Sequence, residues 1–232
     1  ERHPEKIKPA SLGIAGPGIN GDCRTTNLPR VVSEKKHSRR SGWQQVRLVN
    51  DLGSTAMAIP LLNHREVKAL NGSRIHKGQN IGLVAPGTGL GLALLVHAEG
   101  RYRPVASEGG HAGFAPSDES ETDLWQYLHA RFGHVSAERV LSGQGLVNIY
   151  DWLKSTGDKA ESSRVKKAMR ASDAARVITK YAINGNDPLC QEALQRFCRI
   201  FGSVAGNLAL TGVTTGGMFL GGGIPPKILP VL

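Results

Sequence analysis

Apolar residues near the start of this chain fall in short runs; in its second half they recur at helical spacing. Ala10–Ala15 reads as a short buried strand ending at Gly16-Pro17-Gly18. Asn20-Gly21 is a turn signal between strand-like segments. Thr25-Thr26-Asn27-Leu28-Pro29 follows, then a basic run. Val46–Val49 is a second short apolar strand, terminating at Asn50-Asp51. Leu52–Leu62 reads as a helix with Ala and Met on its inner face, stopped near Pro60. His64–Leu70 reads as a short polar helix and Asn71–Gln79 as a loop. Two strand-like runs, Ile81–Val84 and Leu92–Val96, flank Gly87-Thr88-Gly89-Leu90-Gly91, and a charged turn, His97–Arg103, sends the chain back to Glu108-Gly109-Gly110-His111.

Beyond that point the pattern is mostly helical. Asp118 is a good N-cap with Glu121 three residues on, which predicts a helix carrying Leu124, Tyr127 and Leu128 inward and ending near Gly133. Ser136–Gly143 reads as a cap with one or two helical turns, and Leu146–Trp152 as continuing helix. Ser155–Lys167 reads as a mobile loop leading into a helix over Ala168–Asn184. Asp187 caps a long helix with Leu189, Ala193, Leu194, Phe197, Phe201, Val204 and Leu208 at helical spacing. Met218–Leu220 is a last short strand before Gly221-Gly222-Gly223. Strands, a strand–loop–strand unit, helices and a final strand make the class α/β, with two sheet regions meeting near residue 60.

Composition changes this picture in a few places. The net charge of +10 raises a nucleic-acid or anionic-membrane reading. Its densest run, Lys35-Lys36-His37-Ser38-Arg39-Arg40, lacks interleaved aromatics and follows Glu34, so a solvated face is expected and no nucleic acid. Cys23, Cys190 and Cys198 form no even framework and have no ligand company at metal spacing, which predicts reduced thiols in a cytoplasmic protein and no metal site. The opening Glu1-Arg2-His3-Pro4 carries no signal-like apolar core. Ile200–Pro226 has no charged side chain, but Asn207 and its glycine-threonine turns break it, so no membrane span is expected.

The candidate chemistry lies in loops, and each piece has a plain alternative. Gly87–Gly91 lacks the Lys of a P-loop and the helix of a dinucleotide fold; it is either a tight hairpin or a phosphate cradle that the Thr88 hydroxyl joins. Asp51 at a strand end is either a helix N-cap or a general base taking a proton from a substrate hydroxyl. Asn50 beside it can donate and accept, which suits a polyol. Glu108 and His111 are either a charged surface pair or a clamp on neighbouring hydroxyls, with glycines letting backbone come close. Glu138, beside Arg139, reads alone as a helix-surface ion pair. His134 has no evident partner and reads as structural. No Gly-x-Ser-x-Gly elbow supports a hydrolase.

Taken together these residues resemble one family. Leu48-Val49-Asn50-Asp51-Leu52, Pro86-Gly87-Thr88-Gly89-Leu90-Gly91, Ser107-Glu108-Gly109-Gly110-His111-Ala112-Gly113-Phe114-Ala115-Pro116, the run from Gly133-His134-Val135 through Ser142-Gly143-Gln144-Gly145 to Tyr150, and Leu220-Gly221-Gly222-Gly223-Ile224 fall in the order and spacing of the bacterial glucokinases, of the hexokinase/actin-like ATPase superfamily. The resemblance covers the chain from about Ala15 onward; any one glycine loop is weak, but the set is specific. It implies a two-domain actin-like, ribonuclease H-like sugar kinase fold, with 1–60 the remainder of a small α/β domain and 61–232 most of a large one. It implies transfer of a phosphoryl group from ATP, with Mg2+ carried mainly by the nucleotide, to the 6-hydroxyl of D-glucose, the first step of glycolysis. Asp51 then resembles the catalytic base, and Asn50, Glu108, His111 and Glu138 the sugar ligands. Gly87, Thr88 and Gly89 resemble a phosphate-contacting turn, and Gly221, Gly222 and Gly223 the adenosine-side loop. The family's domains close over glucose, and a cytoplasmic homodimer is implied.

Three departures accompany the resemblance. No Asp-Gly-Gly-Thr phosphate loop occurs before Ala10, and the chain stops soon after Gly223, so a fragment lacking both termini, inactive alone, is expected. Arg30 stands where many relatives have Trp. The alternative within the superfamily is a non-catalytic sugar-binding regulator; the absence of Cys from Ala112–Glu121 argues against the zinc-bearing branch that holds many of these. A basic nucleic-acid module would instead show salt-dependent retention in filter binding.

Overall fold

The computed structural model describes residues 9–14, 16, 18–24, 31–72, 74–105 and 107–232. Ala15, Pro17, Thr25–Pro29 and Arg30, named above, lie outside them. Two compact units form. One takes residues 1–68 and 93–106, the other 69–92 and 107–232.

In the first unit, β1 (Pro9–Ile14) is followed by β2 (Gly18–Ile19), β3 (Asp22–Arg24) and β4 (Val31–Ser33). Asn20 and Gly21 both take positive φ, 54° and 80°, the conformation of a two-residue hairpin turn, and Ile19 pairs with Asp22 across it. Helix α1 (Glu34–Ser41) carries the basic run and buries none of its residues. Strand β5 (Gln45–Asn50) runs parallel to β1, from Pro9 opposite Gln45 to Ile14 opposite Asn50. Glu34 turns away from the other α1 charges, and its carboxylate accepts the Leu48 N–H of β5 at 2.8 Å. Helix α2 (Asp51–Ala58) follows and runs into a 3-10 turn at Ile59–Leu61, where Pro60 removes a donor. Val46, Ala56 and Ile59 are buried.

The polar helix expected over His64–Leu70 does not form; only a turn stands at residues 64–66. Asn63 and Glu66 explain it. Arg65 N–H donates to Asn63 Oδ1 at 2.9 Å, and the Glu66 carboxylate accepts from both the backbone and the side-chain amide of Asn63. These local bonds compete with helical ones. Val67 and Leu70 are exposed, so no burial favours a helix there.

In the second unit β6 (Ile81–Pro86) is buried along its whole length. The chain turns at Gly87 and enters β7 (Leu90–Ala98), whose first three residues belong to this unit and whose remainder belongs to the first. There β7 pairs antiparallel with β8 (Arg101–Val105), and Ala98 faces Arg101 across Glu99-Gly100. The charged turn expected over His97–Arg103 is thus two residues long, with β8 as a strand the apolar pattern did not reveal. Helix α2 lies against β8, with Gly53 beside Pro104.

The helices of the second unit begin with α3 (Glu119–Phe132). Asp118 accepts the Glu121 N–H at 2.7 Å; Glu121 reaches back one residue further than a standard capping box, to the Ser117 N–H at 2.8 Å. Ala137–Arg139 is a 3-10 turn, and α4 (Gly143–Thr156) is capped by Ser142. The single helix expected over Ala168–Asn184 is two, α5 (Ser163–Ala171) and α6 (Ala174–Ile183). The break comes at Ser172, which is extended, and Asp173, whose side chain accepts the Arg176 N–H and starts a new helix. The long helix α7 (Pro188–Gly212) is capped by Asp187, and β9 (Met218–Leu220) runs parallel to β6, Leu83 opposite Phe219. Helix α8 (Pro225–Ile228) follows. Val84, Leu141, Ile149, Tyr150, Ile178, Phe197 and Phe201 form one core, which backs β6 and the loops at its end. Among the described residues, no helix is long and apolar enough to cross a membrane.

Cys23 and Cys190 are buried and Cys198 is half-buried. Burial, reinforced by Asp187, pushes the Cys190 thiol far above its ordinary range, and burial pushes Cys198 up to about 11. Both are poor nucleophiles at neutral pH.

Among the described residues Asn20, Glu99 and Val213 take positive φ without being glycine, and Val213 is the β-branched one. Val213, the C-cap of α7, has φ 45° and is 65% exposed. A β-branched residue in the left-handed region costs about 1–2 kcal/mol, and glycine returns part of that as unfolded-state entropy. Val213→Gly is expected to stabilise the chain by about 0.5–1 kcal/mol, read as a higher urea midpoint at unchanged slope.

Candidate active site

Asn50 and Asp51 lie in the first unit, at the junction of β5 and α2. The helix cap expected of Asp51 belongs instead to Asn50, whose Oδ1 accepts the Gly53 N–H at 3.0 Å. The Asn50 amide nitrogen has no acceptor among the described residues. Asp51 is the first residue of α2 and is exposed. One of its oxygens accepts the Leu52 N–H at 2.8 Å. Its carboxylate has no salt-bridge partner among the described residues.

The other candidates lie in the second unit, on three segments that interlock. The Gly87–Gly91 turn joins β6 to β7, as the glycine pattern implied. Within it the Gly87 N–H donates to the Gly89 carbonyl at 2.8 Å, and the Gly87 carbonyl accepts the Gly143 N–H at the start of α4, also at 2.8 Å. Thr88 is exposed, and the Thr88 and Gly89 N–H groups have no partner among the described residues. That leaves two adjacent amides and a hydroxyl for an anion.

Glu138 anchors this turn. Its Oε2 accepts the Leu90 N–H at 2.9 Å, and its Oε1 stands 4.0 Å from His111 Nδ1. The ion pair with Arg139 expected from sequence is absent; the Arg139 guanidinium lies 4.2 Å from the Phe132 ring centroid. Gly89 has a steric reason: a Cβ there would sit 2.5 Å from Glu138 Oε2. Glu108 is exposed, and its carbonyl accepts the His111 N–H at 3.0 Å, closing the 3-10 turn Gly109–His111. His134 has a partner after all. Its Nε2 lies 2.9 Å from the His111 carbonyl, which holds the His111 backbone.

Gly221–Gly223 follows β9 and runs beside the end of β6. The Gly221 N–H donates to the Val84 carbonyl at 2.9 Å and the Ile224 N–H to Pro86 at 3.3 Å. Gly222 has φ 81°, and a Cβ on it would meet the Pro86 carbonyl oxygen at 2.6 Å. Gly87, Thr88, Gly89, Glu138 and His111 therefore share one locality with Gly221, Gly222 and Gly223. Three contributors escaped the sequence reading: the Leu90 amide, Gly143 at the start of α4, and His134. Each contact involves a backbone group, and only the Ser-Gly-x-Gly helix start at Ser142 carries a local signal of its own.

The family model for glucokinase matches this chain over residues 1–232. The chain is 40% identical over 224 residues to the glucokinase of Chromobacterium violaceum, covering 96% of this chain and 62% of that protein. It is 38% identical over 230 residues to the glucokinase of Escherichia coli (strain K12 / DH10B), covering 99% and 68%. Among solved structures, the glucokinase from an Antarctic psychrotroph aligns with a TM-score of 0.78 at 32% identity, over 95% of this chain and 67% of that one. The chain thus spans 62–68% of the length of these curated relatives. A match that runs through every one of these loops in sequence makes this chain a member of the glucokinase family.

Proposed function

We propose that the whole protein is a glucokinase, transferring the γ-phosphoryl group of ATP to the 6-hydroxyl of D-glucose. The observation that carries this reading is Glu138, which faces His111 with one oxygen and holds the glycine turn through Leu90 with the other. Such a carboxylate belongs to a site for two ligands, a polyol and an anion.

The residues fit a nucleotide's phosphates better than a protein-held ion. The turn offers the Thr88 and Gly89 amides, and Gly222 keeps Pro86 clear of any side chain. Among the described residues no group of three His, Cys, Asp or Glu could hold a metal. When bound, Mg2+ on the nucleotide neutralises phosphate charge. The protein's own work is alignment and one proton transfer. Glu108, His111, Glu138 and the free Asn50 amide fix the sugar by directional hydrogen bonds. A hydrogen-bonding site of that kind discriminates against ligands lacking the matching hydroxyls. Asp51 accepts the proton of the 6-hydroxyl as its oxygen attacks, and the Thr88 and Gly89 amides hold the transferred charge.

A cytoplasmic location accompanies this reading, since ATP and reduced thiols are both found in that compartment, and the resemblance alone carries the homodimer. The test is glucose 6-phosphate formation by the whole protein with ATP, followed through a coupled dehydrogenase. Glucose-dependent turnover is expected. Glucose binding with no turnover at any ATP concentration would favour the sugar-binding regulator.

A further inference from the structure

Glu138 is placed to do more than hold a sugar. The 3-10 turn that carries it is fixed on both flanks: the Ala137 N–H donates to the Ala112 carbonyl at 2.9 Å and the Arg139 N–H to Ser136 at 3.0 Å. Its main chain is therefore fixed, and of the carboxylate oxygens Oε2 accepts the Leu90 N–H while Oε1 faces His111. The Leu90 amide ends the turn whose preceding two amides, Gly89 and Thr88, are free. Gly89 permits the arrangement by presenting no Cβ to Oε2.

We infer that Glu138 is a positioning residue that couples the two substrates, holding the phosphate-side turn in register through Leu90 while its other oxygen meets the sugar. The inference rests on the glucokinase reading, which makes His111 and Glu138 sugar ligands. A sugar hydroxyl donating to Oε1 fixes the carboxylate plane. A fixed plane keeps Oε2 on Leu90, and the Thr88 and Gly89 amides then stand ready before the nucleotide arrives. A charge-assisted bond to a backbone amide is strong enough to set a short loop. The coupling is reciprocal: whatever glucose gains from bound nucleotide, the nucleotide gains from bound glucose.

The test is calorimetric titration of the whole protein with glucose and with AMPPNP, each alone and in the presence of the other. Gly89→Ala alters no sugar ligand, yet it crowds Glu138 Oε2. It is expected to weaken glucose binding about tenfold and to bring the glucose–AMPPNP coupling close to unity. His111→Gln is expected to weaken glucose while leaving AMPPNP affinity, measured without glucose, at the wild-type value. Gly89→Ala with wild-type glucose affinity and intact coupling overturns the inference. Wild-type protein that binds no glucose overturns the glucokinase reading itself, and this inference with it. Should Gly89→Ala fail to fold, Glu138→Gln gives a ligand-free readout. Amide exchange at Leu90 in the unliganded protein is expected to accelerate by about tenfold or more, and unchanged exchange overturns the inference.

Discussion

Asp51→Asn is expected to lower glucose phosphorylation by the whole protein about 10²–10⁴-fold, the range for loss of a positioned general base, while glucose binding remains measurable. The local structure supports a clean experiment. Asn50 caps α2, so Asp51 has no capping duty to lose. The bond from the Leu52 N–H to Asp51 Oδ1 survives in the amide, and so does the Thr55 hydroxyl bond to the Asp51 carbonyl. What changes is the charge and the ability to take a proton. The loss should therefore appear in kcat, with glucose affinity by calorimetry close to wild type. Turnover retained within a few-fold would remove Asp51 from the base role.

The second large effect is expected at Gly222. Valine there must hold φ 81° and place its Cβ 2.6 Å from the Pro86 oxygen and 3.1 Å from the Ala85 carbonyl carbon. The left-handed backbone alone costs about 1–2 kcal/mol, and the colliding atoms are main chain of the buried strand β6, which cannot rotate aside. The loop after β9 must move instead. AMPPNP affinity of Gly222→Val is expected to fall about 100-fold, equivalent to about 2.7 kcal/mol, with glucose affinity in the absence of nucleotide much less affected. Unchanged AMPPNP affinity would separate Gly221–Gly223 from the adenosine side.

Sequence reading went furthest where a local signal had one physical meaning. Asn20-Gly21 sits in a positive-φ hairpin turn, Asp187 caps α7, and the apolar run at Met218–Leu220 is a strand. It failed where local bonding outweighed the residue pattern. Asn63 with Glu66 replaced a helix by a turn, and Asp173 split one helix into two. The site divides in the same way. Glycine spacing marked the Gly87 turn, and the resemblance alone gave Gly221–Gly223 a role; at both, close backbone approach leaves a residue-type signature. Nothing in the run Ser136–Arg139 shows that the Glu138 carboxylate reaches Leu90, 48 residues earlier; that contact is a product of chain folding alone. The partner of His134 is likewise a carbonyl, which no residue type announces.

The Glu34 carboxylate on β5 has a consequence for the company the chain keeps. Among the described residues β5 pairs only with β1, so its outer margin carries backbone donors that another copy's strand could adopt. Glu34 fills the Leu48 position there with a charged oxygen, and α1 brings Lys35, Lys36, Arg39 and Arg40 alongside as a mutually repelling fringe. The first unit's two-stranded sheet is guarded against strand-by-strand self-association by the same eight-residue helix that carries the chain's densest basic run.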